Sequence, residues 1–205
     1  MKILGHEQNT EAWLDARKGC ITGSKLKGLI VKHGTKRKIG FYELLADRIA
    51  IASDGENPME RGHRLEEEAL EEWSKKNDME VERVGLCVSD FNPNIALSPD
   101  GLIKTTSGEY TEAVEVKCLS SARHLRTYFE NKVPLDYIEQ VVQYFIVIET
   151  LGVLHFVCYD PRIASLPVFE IRVERGDFED LIEKYKDYQE EALEEINKMA
   201  EQLAF

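Results

Sequence analysis

The feature that most constrains this chain is a change of hydrophobic period near residue 80. Before that point apolar residues recur at spacings of three and four, as in helices packed by one face. After it they alternate, as in strands. Residues 9–17 read as a short helix capped by Asn9 or Thr10, with Trp13 on its apolar side and Gly19 as its breaker. Thr22-Gly-Ser24 opens a second helix to about Val31, and residues 32–40 form a Gly/Lys loop. Phe41–Ala52 is amphipathic and helical, residues 53–58 are a loop, and Gly62–Lys76 is the next helix. Strands are expected at Val81–Val88, Ile95–Leu97, Gly101–Lys104, Ala113–Cys118, Val153–Tyr159 and Val168–Val173. Pro134 to Thr150 is apolar almost all round, which marks a buried helix. Helices first, then strands with one buried helix among them, predict an α/β (α+β) fold with a central mixed β-sheet flanked by helices. A length of 205 residues suits one domain, 1–205, with N-terminal helices over about 9–52 and a C-terminal amphipathic helix over about 178–203.

That last helix repeats Leu181, Tyr185, Tyr188, Ala192, Ile196, Met199 and Leu203 at spacings of three and four. Such a stripe serves either packing on its own domain or a contact between subunits. Cys20, Cys87, Cys118 and Cys158 are far apart and form no CxxC pair, so they read as small buried hydrophobes rather than zinc or cluster ligands. No apolar run approaches the ~20 residues that span a bilayer. Met1–Gly5 lacks a signal-peptide pattern. The expectation is a cytoplasmic protein with no membrane partner.

A net charge of −12 argues at first against nucleic acid as a ligand. The charge is segregated, however. Residues 17–38 hold Arg17, Lys18, Lys25, Lys27, Lys32, Lys36, Arg37 and Lys38 without one acid, whereas the stretch from Asp177 is strongly acidic. Segregation of this kind can steer an anionic ligand.

The chemistry gathers around Ala113-Val-Glu-Val-Lys-Cys118. Alternation puts Glu115 and Lys117 on one face of a strand and Val114, Val116 and Cys118 on the other. Upstream, Pro99 and Gly101 bracket Asp100 in a tight turn. Fourteen residues separate Asp100 from Glu115, and a hairpin of that size brings the two together. Converging carboxylates repel unless a cation sits between them. Oxygen ligands, with the Val116 carbonyl added, suit Mg²⁺, and Mn²⁺ equally. Lys117 beside them would orient or activate a water, or stabilise charge on a phosphate. On the helix after Gly62, the stripe Glu66, Ala69, Leu70, Trp73 places Glu66 on the apolar side, where a carboxylate must be paired or bind metal. This is the PD…ExK arrangement of the restriction-enzyme-like nucleases, with the restriction-endonuclease-like core that it implies.

With those residues in hand, the chain resembles the phage lambda exonuclease family, also described as alkaline exonucleases or viral recombinases. The likeness runs in order along most of the sequence. It includes Trp13 and Arg17 followed by Gly19-x-Ile21-Thr22-x-Ser24, Gly62-His-Arg-Leu-Glu66, and Ser98-Pro-Asp100-Gly. It continues through Glu115-Val-Lys117-Cys, Tyr137-Ile-Glu-Gln140 and Tyr159-Asp-Pro-Arg162. The resemblance implies that Glu66, Asp100, Glu115 and the Val116 carbonyl hold up to two Mg²⁺ ions and that Lys117 serves the nucleophilic water. It implies that Arg17 and Ser24 grip the 5′-terminal phosphate, that Ser98 assists, and that Gln140 lies near the scissile nucleotide. Gln140 is preferred because Tyr137 precedes it at the family spacing, with Gln143 as the alternative.

The resemblance further implies 5′→3′ digestion of one strand at linear double-stranded DNA ends. It implies a homotrimer ring around the DNA and a single-strand annealing protein as partner. Lys36 and Arg37 would then line the channel of the ring. The competing readings are an endonuclease or another nuclease of the same superfamily and, from a different class, a non-catalytic DNA-binding module.

Overall fold

The computed structural model describes residues 1–17, 22 and 58–203. Among these, seven strands form two sheets. Strands β1 (Lys2–Leu4), β2 (Leu86–Val88) and β3 (Ala96–Leu97) make an antiparallel three-stranded sheet in that order. Strands β4 (Gly101–Lys104), β5 (Tyr110–Lys117), β6 (Val153–Tyr159) and β7 (Val168–Glu174) make a mixed four-stranded sheet in which only β5 and β6 run parallel. The helices are α1 (Glu11–Ala16), α2 (Pro58–Asn77), α3 (Ser121–Glu130), α4 (Ile138–Val147) and α5 (Glu179–Leu203). A parallel pair cannot be joined by a tight turn, and α3 and α4 make the crossover from β5 to β6.

The four-stranded sheet is covered on both faces. Val114, Val116, Val157, Tyr159 and Val168 cluster with Leu65, Ala69, Leu70 and Trp73 of α2. Ala113, Leu154, Phe156 and Cys158 cluster with Val141, Val142, Phe145 and Ile146 of α4 and with Ile182, Tyr185 and Leu193 of α5. Period-two alternation therefore serves two apolar layers at once, and β6 is buried along its whole length. This is the mixed α+β architecture expected from the sequence.

Several boundaries differ from the sequence expectation. The helix expected from Gly62 begins at Pro58, where proline is suited to the first helical position. The strand expected over 81–88 is regular only at Leu86–Val88, with Glu82 forming a separate bridge to Leu102. Gly85 explains part of this. A Cβ there would lie 2.3 Å from the His6 carbonyl oxygen and 2.4 Å from that of Leu4, so only glycine lets the N-terminal segment cross so closely. The helix expected over 134–150 is a 3-10 turn at Leu135–Tyr137 followed by α4, which ends at Ile148 (φ −111°, ψ 88°). Strand β1 and helix α3 had no sequence expectation. Helix α3 ends on Asn131 in the left-handed region (φ 46°), whose N–H caps the Thr127 and Tyr128 carbonyls.

Helix α5 keeps Leu181 and Tyr185 of the expected stripe against the core but from there turns inward a stripe one residue later than its spacing indicated. Ile182, Tyr185, Gln189 and Leu193 are buried, while Tyr188 and Ile196 are 42% and 53% exposed. The contact with α4 selects that stripe. Cys87 and Cys158 are buried and Cys118 partly so, all as free thiols. Burial pushes the Cys87 thiol up to about 12, which makes it inert. Among the described residues no helix is long and apolar enough to cross a membrane. Apart from Thr22, the expected helices at 22–31 and 41–52, the loop at 32–40, and Cys20 lie outside the described residues.

Candidate active site

The β4–β5 hairpin assembles the centre. Gly101 pairs with Val114, so Asp100, immediately before β4, lies beside Glu115 on β5. The Val116 N–H donates to Asp100 Oδ2 at 2.7 Å. Glu115 is 1% exposed, yet it is not orphaned. Its Oε1 accepts from the Lys117 ammonium and from the Gln140 amide, and its Oε2 accepts from the Tyr144 hydroxyl. Lys117 is anchored by that ion pair and also lies over the Tyr137 ring, 5.3 Å from its centroid.

The electrostatics describe a site with surplus negative charge. Burial, then the charges of Glu115 and Glu66, hold the Asp100 carboxyl well above its ordinary range, and Lys117 and the Val116 N–H only partly offset them. Burial alone would lower the Lys117 ammonium, but Glu115 and Asp100 outweigh it and raise it above its ordinary value. Beside the two carboxylates it can orient an oxygen or neutralise charge.

Glu66 stands half-buried on α2, on the same side as the buried Ala69, Leu70 and Trp73. It bears on Asp100 through charge. Among the described residues no three His, Cys, Asp or Glu side chains converge as a finished ligand set. The donor chemistry nevertheless fits a hard cation: oxygen donors only, crowded negative charge, and a buried carboxylate already oriented by three donors. Asp100, Glu115 and Glu66 would hold such a cation. Glu66 and Asp100 also line an open cleft of about 600 Å³, whose other walls include His6, Gln8, Asn9 and Arg83.

A second group adjoins the Asp100 loop. Arg17 lies over the Trp13 ring at 4.1 Å from its centroid. Trp13 Nε1 donates to Ser98 Oγ at 3.2 Å, and an Arg17 guanidinium N–H donates to the same oxygen at 3.3 Å. Arg17 also donates to Thr22 Oγ1 at 3.4 Å. Helix α1 is capped by Thr10, whose hydroxyl accepts the Trp13 N–H. Gln8 adds a hold on the same loop, donating to the Pro99 carbonyl at 3.0 Å.

Thus Asp100, Glu115, Lys117 and Gln140 come together, Glu66 flanks them, and Arg17 is bonded to Ser98, which lies two residues before Asp100 in the chain. Of the two glutamines, Gln140 reaches Glu115. Gln143 is fully buried and donates to the Ala96 carbonyl at 3.3 Å. Ser24, Lys36 and Arg37 lie outside the described residues. Sequence reasoning missed Gln8 and Tyr144. Tyr144 carried a usable signal, since it lies four residues after Gln140 and hence on the same helical face.

The family described as YqaJ-like viral recombinase domain matches residues 12–150. No curated protein sequence matches the chain. The fold is similar to that of an alkaline exonuclease (LHK-Exo) from Laribacter hongkongensis, with a TM-score of 0.67 and 26% identity over 95% of this chain and 100% of that one. The same enzyme in complex with dAMP gives a TM-score of 0.66 and 27% identity over the same shares, 95% and 100%. A phage-related exonuclease from Haemophilus somnus 129PT shares the fold, with a TM-score of 0.57 and 12% identity over 90% of this chain and 96% of that one.

Proposed function

The chain belongs to the YqaJ-like viral recombinase family, and from that premise we propose that it is a divalent-metal-dependent exodeoxyribonuclease that digests one strand of linear duplex DNA in the 5′→3′ direction. That it is a nuclease follows from its relationship to the alkaline exonuclease, which covers nearly the whole chain. The observation that carries the catalytic reading is the adjacency of Asp100, Glu115 and Lys117 on one hairpin.

In this reading Asp100, Glu115, Glu66 and the Val116 carbonyl hold up to two Mg²⁺ or Mn²⁺ ions. Bound there, the metal lowers the pKa of a water and neutralises charge on the scissile phosphate. Lys117, paired with Glu115, orients or activates the attacking water and faces the developing phosphate charge. Gln140 fixes the Glu115 carboxylate and faces the scissile nucleotide. Arg17, with Ser98 and Ser24, takes the 5′-terminal phosphate, since a guanidinium suits bidentate recognition of phosphate. That the relative binds dAMP agrees with release of mononucleotides. A homotrimer ring, basic residues Lys36 and Arg37 lining its channel, and an annealing protein that takes the 3′ strand complete the proposal.

The deciding experiment offers linear duplex DNA with a 5′-phosphate or a 5′-hydroxyl, and closed circular plasmid, in Mg²⁺ or EDTA, to the protein and to Glu115→Ala. The expected result is Mg²⁺-dependent loss of linear DNA alone, faster with the phosphate and absent in the variant. Cutting of the circle would replace this reading with an endonuclease. Intact DNA binding without any cutting would leave a binding module.

A further inference from the structure

Helix α4 is built mostly for packing. Val141, Val142, Phe145, Ile146 and Val147 are all buried in it. Tyr144 belongs to the same buried set and is 0% exposed, and the phenylalanine ring would fill its place as well. Burying a hydroxyl costs free energy unless it is hydrogen-bonded, so its partners disclose its use. The Tyr144 hydroxyl donates to Glu115 Oε2 and accepts the Asp100 main-chain N–H at 3.3 Å. The Val114 carbonyl lies farther off, at 3.4 Å, and competes weakly for the one proton.

We propose that Tyr144 is a positioning residue of the metal-binding centre, locking the Asp100 main chain and the Glu115 carboxylate at a separation that lets both reach one divalent cation. This rests on the nuclease reading of the Asp100–Glu115 pair. Two features make the tyrosine suited to that task. Gln140 and Tyr144 sit four apart on one helical face and hold opposite oxygens of Glu115, so a single rigid helix sets the carboxylate plane. Both donors are neutral, so they fix the carboxylate without cancelling the charge that attracts a cation.

The test is calorimetric titration of the full chain with Mn²⁺ in the absence of DNA, comparing wild type, Tyr144→Phe, Glu115→Gln and the double variant. Loss of a partner that orients a metal ligand weakens metal affinity by about 10–100-fold, and that range is expected for Y144F. Tyr185→Phe is the control, because Tyr185 is a buried tyrosine on α5 in the same core as α4 and loses the same hydroxyl. It should leave the Mn²⁺ affinity unmoved. In the E115Q background, adding Y144F should change affinity by less than about threefold, since the two act as one unit. Y144F with wild-type Mn²⁺ affinity overturns the proposal while leaving the nuclease reading in place. So does a Y144F loss that persists in full on E115Q, or one matched by Y185F. Wild-type protein that binds no Mn²⁺ overturns both.

Discussion

The Val116 N–H holds Asp100 Oδ2 at 2.7 Å, so the strand that carries Glu115 also fixes the carboxylate opposite it. Two like charges are thus pinned side by side by the main chain before any cation is present. The folded protein bears that repulsion, and in the proposed reading a cation relieves it, which has consequences for stability as well as activity.

Asp100→Asn should separate the two. The Asp100 carboxyl is raised well above its ordinary 3.8 on folding, first by burial and then by Glu115 and Glu66. An acid raised in this way opposes folding increasingly as the pH climbs from its unfolded value through its folded one. Asparagine keeps the acceptor for the Val116 N–H and removes the charge. In EDTA at pH 8 the variant should melt about 2–4 °C above wild type, roughly 1 kcal/mol. Its Mg²⁺-dependent DNA digestion should fall at least about a hundredfold, more than the loss of an indirect partner costs. A lower melting temperature in EDTA would contradict this account.

The two glutamines should part company. Gln140→Ala is expected to reduce activity with little change in melting, since the residue is partly exposed and touches Glu115. Gln143→Ala removes a buried donor to the Ala96 carbonyl and should destabilise by about 1–3 kcal/mol. Steady-state rates with thermal melts on both proteins check this, and the reverse pattern would exchange their assignments.

Arg17→Ala should abolish preference for a 5′-phosphate over a 5′-hydroxyl, a loss of about 10–100-fold in that ratio for a charged hydrogen-bonding pair. Trp13→Phe keeps a ring beneath Arg17 but loses the bond to Ser98, so it should retain part of the preference. Equal discrimination in all three proteins would remove Arg17 from the phosphate site.

On the opposite face of the sheet, buried His155 lies between Glu112, 2.7 Å from Nε2, and Glu170, 3.1 Å from Nδ1, while Trp73 donates to the same Glu170 oxygen. Burial alone would lower the imidazolium, but Glu170 and Glu112 raise it above its ordinary 6.5. The stabilisation is then complete below about pH 6.5 and lost as the pH rises through the folded value. The bond to His155 also lowers the Glu170 carboxyl, so that part is lost only as the pH falls well into the acid range. His155→Gln should cost about 2 kcal/mol, roughly 4–8 °C, at pH 6, and less at pH 9. A difference in melting temperature that does not depend on pH would show His155 to be neutral.

The sequence alone determined the order of events along the chain: helices, then strands, with the chemistry on the strand expected over Ala113–Cys118. Alternation assigned Glu115 and Lys117 to one face, and the turn residues around Asp100 placed it between two short strands, because both are local properties with a fixed geometry. The stripe Ala69, Leu70, Trp73 likewise put Glu66 on the inward side of α2. Only the tertiary structure decided what the other side of Glu115 meets. Gln140 and Tyr144 reach it because α4 crosses that face of the sheet, a placement that packing fixes. The same holds for α5, whose inward stripe was set by its contact with α4 rather than by its own spacing. It holds also for the crossing of Gly85 by the first residues of the chain. Periodicity tells which residues share a face; it cannot tell what that face will touch, because that depends on atoms brought together from distant parts of the chain.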